Sequence, residues 1–195
     1  KYFKPIEIGK RLTICPEWEH YTSSQRKVLR IDPGSAFGTG DHATTRLCLE
    51  FLDQVIKGGE NVLDVGTGSG ILSAASVLLG ANSALGADID ENSVNIARAT
   101  AKLNNLHNCT FIQNNLVAGI TGQFDIILAN IVADIVIRLA PDIPSLLAPG
   151  GLFISSGIID ERLEEVQNKL KELSFDILDV RMSDGWAAIM ARPQS

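Results

Sequence analysis

From residue 42 onward the chain alternates short apolar runs with longer segments of helical spacing, and this alternation limits the architecture more than any other feature. The runs "NVLDVG", "SALGAD", "CTFIQ", "FDIILAN" and "GLFISSG" are too short for helices and read as strands, the first of the fully buried kind. Between them lie "ILSAASVLLG", closed by Gly80, and residues 91–105, which start behind Asp90, Glu91 and Asn92 as possible caps. A helix through "PDIPSLL" and an amphipathic helix over 160–173 complete the set, with the Pro149-Gly150 turn before the fifth strand. Ahead of them all, "HATTRLCLEFLDQVI" sets Leu47, Phe51, Leu52 and Val55 at helical spacing as far as Gly58-Gly59. The last segment, "FDILDVRMSDGWAAIMAR", reads as two strands joined at Ser183-Asp184-Gly185. Strands and helices in this order predict an α/β fold: a doubly wound, seven-stranded, mostly parallel sheet ending in an antiparallel hairpin.

With 195 residues, 45% of them hydrophobic, the chain can bury one substantial core. The segment before residue 31 is less ordered in pattern. An extended start bounded by Pro5 and Pro16 gives way to polar, mixed residues 17–30, which resemble a linker or a surface segment. The sequence opens on Lys1 rather than Met, so a fragment or a partly ordered chain is expected. A net charge of -6, with basic clusters no longer than Lys10-Arg11 and Arg26-Lys27, offers no stripe for tracking phosphates, and no nucleic-acid partner is expected. No apolar stretch reaches the roughly 18 to 20 residues that span a bilayer, so no membrane association is expected. Cys15, Cys48 and Cys109 form no CxxC pair and suggest buried thiols of a reducing, cytoplasmic compartment rather than a disulfide framework. No spacing of His, Asp and Glu predicts a metal site.

Two glycine-rich stretches carry the chemistry. In "LDVGTGSG", Gly66, Gly68 and Gly70 follow a strand and open a helix, the place where backbone comes close to a ligand. A dinucleotide fingerprint would place glycine at 71, where Ile71 stands, and no Gly-Lys-Ser/Thr follows to make a phosphate loop. Asp88 closes the second strand, 22 residues after Gly66, where a carboxylate accepts hydrogen bonds from a ribose diol. Nucleoside recognition without a phosphate grip follows, and S-adenosylmethionine is a ligand of that kind. Asp64 admits two readings, a functional one and one in which it holds loop amides. The other stretch, "DPGSAFGTGDHATT", combines Gly34, Gly38 and Gly40 with a helix entrance at Thr44 and Thr45, whose hydroxyls and amides suit a carboxylate. His42, within it, is open to cofactor contact, proton relay or a bond to loop backbone. Phe37, Trp18 and Trp186 read as packing residues, His20 and His107 as surface residues, and Asp134 and Asp184 as helix-surface and turn charges.

"LDVGTGSG" with "GADID" resembles motif I and the following acidic motif of class I methyltransferases, whose Rossmann-like sheet also ends in an antiparallel hairpin. "DPGSAFGTGDHATT", "DIDENSVNIARATAKLNN" and "ILANIVADIVIRLAP" together resemble the bacterial PrmA family, which methylates ribosomal protein L11 of the large subunit. The similarity runs over essentially the whole chain. It implies S-adenosylmethionine as cofactor, with contacts at Thr45, Gly66, Asp88 and Asn130, the last at the end of the fourth strand, where it can also orient an incoming amine. It implies methyl transfer to lysine side-chain or amino-terminal α-amines of L11. "NIVA" lacks the aromatic of the "NPPY" type, which stacks on a planar target, and a flexible lysine needs no such stack. The family also carries a separate amino-terminal recognition domain, which makes 1–30 a linker remnant and 31–195 the methyltransferase domain. A methyltransferase of RNA or a small molecule, or a cofactor-binding domain without activity, stands as the alternative.

Overall fold

In the computed structural model, residues 4–36 and 42–195 are described, the side chains of residues 35, 36 and 42 excepted. Chain order is β1 (Ile6–Ile8), β2 (Leu12–Pro16), β3 (Lys27–Ile31), α1 (Pro33–Ala36), α2 (His42–Val55), β4 (Asn61–Val65), α3 (Ile71–Leu78), β5 (Ser83–Asp88), α4 (Glu91–Leu103) and β6 (Cys109–Gln113). It continues with β7 (Phe124–Asn130), α5 (Ala133–Leu139), β8 (Leu147–Ile159), α6 (Leu163–Glu172), β9 (Phe175–Ser183) and β10 (Trp186–Pro193).

Seven strands form one sheet in the order β6-β5-β4-β7-β8-β10-β9, as the alternating pattern predicts. Neighbours from β6 to β8 pair in parallel, and β10 lies antiparallel between β8 and β9. The hairpin turn is the two residues Asp184 and Gly185, both at positive φ (53° and 80°), the conformation that matches the twist of the flanking strands. Alternate residues of each central strand feed opposite cores. Val62, Leu128, Ile154 and Ala188 pack under α2 and α3, whereas Leu63, Ile127, Phe153 and Ile189 pack under α5 and α6. Helix α4 covers the β5–β6 edge, with Val94, Ala97 and Ala101 against Phe111.

Four expectations change. The helix through "PDIPSLL" is one: α5 ends at Leu139, and 140–142 and 144–146 are short 3-10 turns at Pro141 and Pro144. Residues 6–31 are not simply a linker: β1 and β2 pair antiparallel, β2 and β3 pair in parallel, and Ile8, Leu12, Ile14, Leu29 and Ile31 enter the α2–α3 core. Only 17–26 runs as the surface connection foreseen, and Trp18 on it is 57% exposed rather than packed. The fifth strand begins at Leu147, ahead of Pro149-Gly150, and a register shift against β7 absorbs the extra residues instead of a separate turn. The three cysteines are free, and burial pushes the Cys48 thiol up to about 12 and Cys109 up to about 11.

One carboxylate fastens the small sheet to α2. Asp53 of α2 accepts the amides of Lys10 (2.9 Å) and Arg11 (3.0 Å) in the β1–β2 turn. In return, the Arg11 guanidinium donates to carbonyls of Asp53 and Ile56 at the end of α2. Asp53→Ala removes the acceptor of both amides, and a loss of about 1–2 kcal/mol is expected, read as a lower denaturant midpoint at unchanged slope.

Candidate functional site

The strand order reverses between β4 and β7, and in open α/β sheets such a reversal leaves a crevice at the carboxyl ends of the strands. The sequence-predicted residues converge there. The Gly66–Gly70 loop leaves β4, Asp88 ends β5, Asn130 ends β7, and Thr44 and Thr45 stand in the first turn of α2.

The loop is closed onto β5 first by backbone. Gly66 and Thr67 both donate their amides to the Ala87 carbonyl (2.8 and 2.9 Å), and Gly70 turns back to the Thr67 carbonyl (2.9 Å). The next amide, of Gly68, donates to one oxygen of Asp88 (2.9 Å), while the other Asp88 oxygen takes the amide of Asp90 (3.0 Å). A carboxylate has about four acceptor sites. Counting donors among the described residues, two remain for a ligand, enough for the two hydroxyls of a ribose.

The three glycines of the loop serve different neighbours. A Cβ on Gly66 would fall 2.6 Å from Cγ2 of Ile131, and one on Gly70 would fall 2.8 Å from the Cβ of Ala97 in α4. Of the three, only Gly68 has nothing within 4 Å of an added Cβ among the described residues. Close packing is thus sufficient reason for glycine at 66 and 70, and Gly68 is where a ligand can reach the backbone.

Asp64, 1% exposed, lies beneath the loop and accepts the hydroxyls of Thr67 (2.7 Å) and Ser73 (2.8 Å) and the Ser73 amide. Burial lifts its carboxyl above the usual range despite these donors. It braces the loop against the start of α3. Across the crevice, Nδ2 of Asn130 donates to Oγ1 of Thr45 (3.3 Å), and the Ser156 hydroxyl donates to the Thr44 carbonyl (3.0 Å). Thr45 is 4% exposed, so its hydroxyl faces inward toward Asn130.

Phe37, Gly38 and Gly40 lie outside the described residues, as does the His42 side chain, whose backbone opens α2. His20 and His107 are exposed and Trp186 is half-buried. Asp134 is an exposed charge in the first turn of α5, paired with Arg162 at 2.6 Å, and Asp184 sits in the hairpin turn. Sequence reasoning missed three residues. Ile89, 67% exposed, follows Asp88, and Val132, 60% exposed, lies two residues past Asn130. An apolar side chain inside the acidic run "DIDEN" was the available signal for the first. Ser156 is the third, marked only by a serine pair at the end of an apolar strand.

A hollow of about 700 Å³ lies elsewhere, lined by Arg11, Asp53 and Arg181 among others. The charges of Arg11 and Asp53 are spent on the turn contacts described above, so chemistry converges at the strand ends rather than there.

Comparison with known proteins bears on the family of the chain. A family model described as Ribosomal protein L11 methyltransferase (PrmA) matches residues 1–194. Proteins named ribosomal protein L11 methyltransferase from Caldanaerobacter subterraneus subsp. tengcongensis and Caldicellulosiruptor saccharolyticus are 47% and 49% identical over 193 residues, 98% of this chain. The chain spans 62% and 63% of the length of these two relatives. The crystal structure of a ribosomal protein L11 methylase from Lactobacillus delbrueckii subsp. bulgaricus has a TM-score of 0.91 at 35% identity, covering 99% of this chain and 100% of that one.

The position of Asp64 gives a pH test. Its carboxyl is raised in the fold, so its contribution to stability is present at low pH and is lost as pH rises from the unfolded carboxyl range through the folded value. Asp64→Asn does not titrate. The melting temperature of the variant minus that of the parent is expected to be larger at about pH 8 than at about pH 4.

Proposed function

We propose, from the premise that this chain belongs to the ribosomal protein L11 methyltransferase (PrmA) family, that it transfers methyl groups from S-adenosylmethionine to amines of L11. The acceptors in this reading are lysine side-chain amines, the amino-terminal α-amine, or both. The observation that carries it is the pairing, across one crevice, of Asp88, two of whose acceptor sites are unused among the described residues, and Asn130, whose Nδ2 donates to Thr45.

When bound, S-adenosylmethionine supplies an electrophilic methyl group on its sulfonium. The residues present fit such a ligand. Asp88 can accept both ribose hydroxyls, the open space at Gly68 lets a ligand approach the loop, and exposed Ile89 offers apolar surface beside Asp88 for the adenine. With Nδ2 held by Thr45, Oδ1 of Asn130 is left to accept an N–H of the incoming amine, which turns the nitrogen lone pair away from Asn130. Transfer is an in-line displacement, so holding the amine about 3 to 3.5 Å from the methyl is most of what the protein must do. A lysine amine, with a solution pKa of about 10.4, must also shed a proton first, whereas an α-amine near 8 needs less help.

The relatives extend beyond this chain. A separate amino-terminal recognition domain for L11, with residues 1–30 at its junction, belongs to the proposal, as does action in the cytoplasm. Among the described residues no helix is long and apolar enough to cross a membrane.

Incubation of the full-length protein with labelled S-adenosylmethionine and L11, followed by mass spectrometry, tests the reading. Methyl groups on lysine or the α-amine are expected, and their absence, or methylation of RNA or metabolites instead, overturns it. Asp88→Ala is expected to weaken S-adenosylmethionine binding by about tenfold or more, because hydrogen bonds to a charged group contribute about 1.5–3 kcal/mol.

A further inference from the structure

Strand β7 lies between β4 and β8, and Ile131 is the residue at which its chain leaves the sheet, directly after Asn130. Both neighbouring strands meet Ile131 with a glycine. On the β4 side, a Cβ on Gly66 would stand 2.6 Å from Ile131 Cγ2. On the β8 side, a Cβ on Gly157 would stand 2.5 Å from the Ile131 carbonyl oxygen and 2.9 Å from its carbonyl carbon. Neither position has room for a methyl group, and Gly157, at φ +81°, has a backbone that other residues rarely adopt. The Ile131 amide donates to the Ser156 carbonyl (3.1 Å), which holds its backbone against β8.

The same serine closes a circuit. Its hydroxyl holds the Thr44 carbonyl, the neighbouring Thr45 hydroxyl takes Nδ2 of Asn130, and Asn130 leads into Ile131. The backbone of Ile131 is therefore fixed to β8, while its Cγ2 stands where a Cβ on the first glycine of the loop after β4 would meet it. A β-branched side chain has little freedom at χ1 and acts as a stiff spacer.

We infer that Ile131 is a positioning residue for methyl transfer, a gauge seated between Gly66 and Gly157 that sets how far Asn130 stands from the loop bordering the donor. This rests on the function proposed above. The alternative is that Ile131 only fills space beside the α5–α6 core, against which it packs. A space-filling residue would change stability. A gauge would change the rate at which bound donor and acceptor react, because a misplacement of about 1 Å can cost about a hundredfold.

The test uses the full-length protein with S-adenosylmethionine and L11, well below the melting temperature of each variant. Ile131→Ala is expected to lower kcat about tenfold or more, with S-adenosylmethionine affinity within about threefold of the parent and Ile131→Val recovering most of the rate. Gly157→Ala, which pushes on the same carbonyl, is expected to lower kcat in the same way. If the parent methylates L11 and Ile131→Ala keeps its kcat, or loses rate only in step with its folded fraction or donor affinity, the inference fails alone. If the parent itself transfers no methyl, the functional reading fails and takes this inference with it.

Discussion

One carbonyl, that of Ala87, accepts the amides of both Gly66 and Thr67, and the arrangement of the crevice depends on it. With those two amides on β5, the loop after β4 can only fold toward the end of β5, which brings the Gly68 amide onto Asp88. Asp88 is then held from two sides, with half its acceptor capacity unused among the described residues. Asp64, buried below, fixes the same loop to α3 through two hydroxyls, a costly burial that is compensated by rigidity at the point where a ligand would approach. The opposite wall is tied separately, from α2 to the ends of β7 and β8, by Thr45 with Asn130 and Thr44 with Ser156. Ile131 is where the two walls touch.

The large sheet was legible in the sequence because its central strands are buried on both faces and therefore read as apolar runs, with glycine or a two-residue turn at their ends. The small sheet was not. In β3, "KVLRI", polar residues interrupt the apolar ones, and the polar, mixed run 17–30, which includes Arg26 and Arg30, suggested a linker or a surface segment. Both guanidiniums instead satisfy carbonyls of tight turns, Arg26 those of Ile8, Gly9 and Leu12, and Arg30 those of Glu19 and Tyr21. Charge used internally in this way looks the same in sequence as charge used for solubility. At β8 the Pro149-Gly150 pair suggested a turn, but pairing to β7 resumes across a register shift.

The candidate site shows a similar division. Asp88 and the glycine loop could be placed from spacing alone, since strand, loop and helix fix where a residue at a strand end must point. Thr45 was marked by its helix entrance and Asn130 by resemblance, and the structure brings them within hydrogen-bond reach of each other across a sequence separation no local pattern encodes. Gly66 and Gly70 look equivalent to Gly68 in a motif, yet their neighbours are Ile131 and Ala97, so only three-dimensional packing tells the three apart. Ile89 and Val132 went unnoticed because exposure of an apolar residue is a property of the fold, not of its type.

The central claim is that this crevice holds a nucleoside-sulfonium ligand by Asp88 and the Gly68 face of the loop. Titration calorimetry of the 195-residue chain with S-adenosylmethionine measures this most directly. The account expects saturable binding at one site, with NAD giving none. No heat and no rise in melting temperature with S-adenosylmethionine, or saturable binding of NAD in its place, would contradict it.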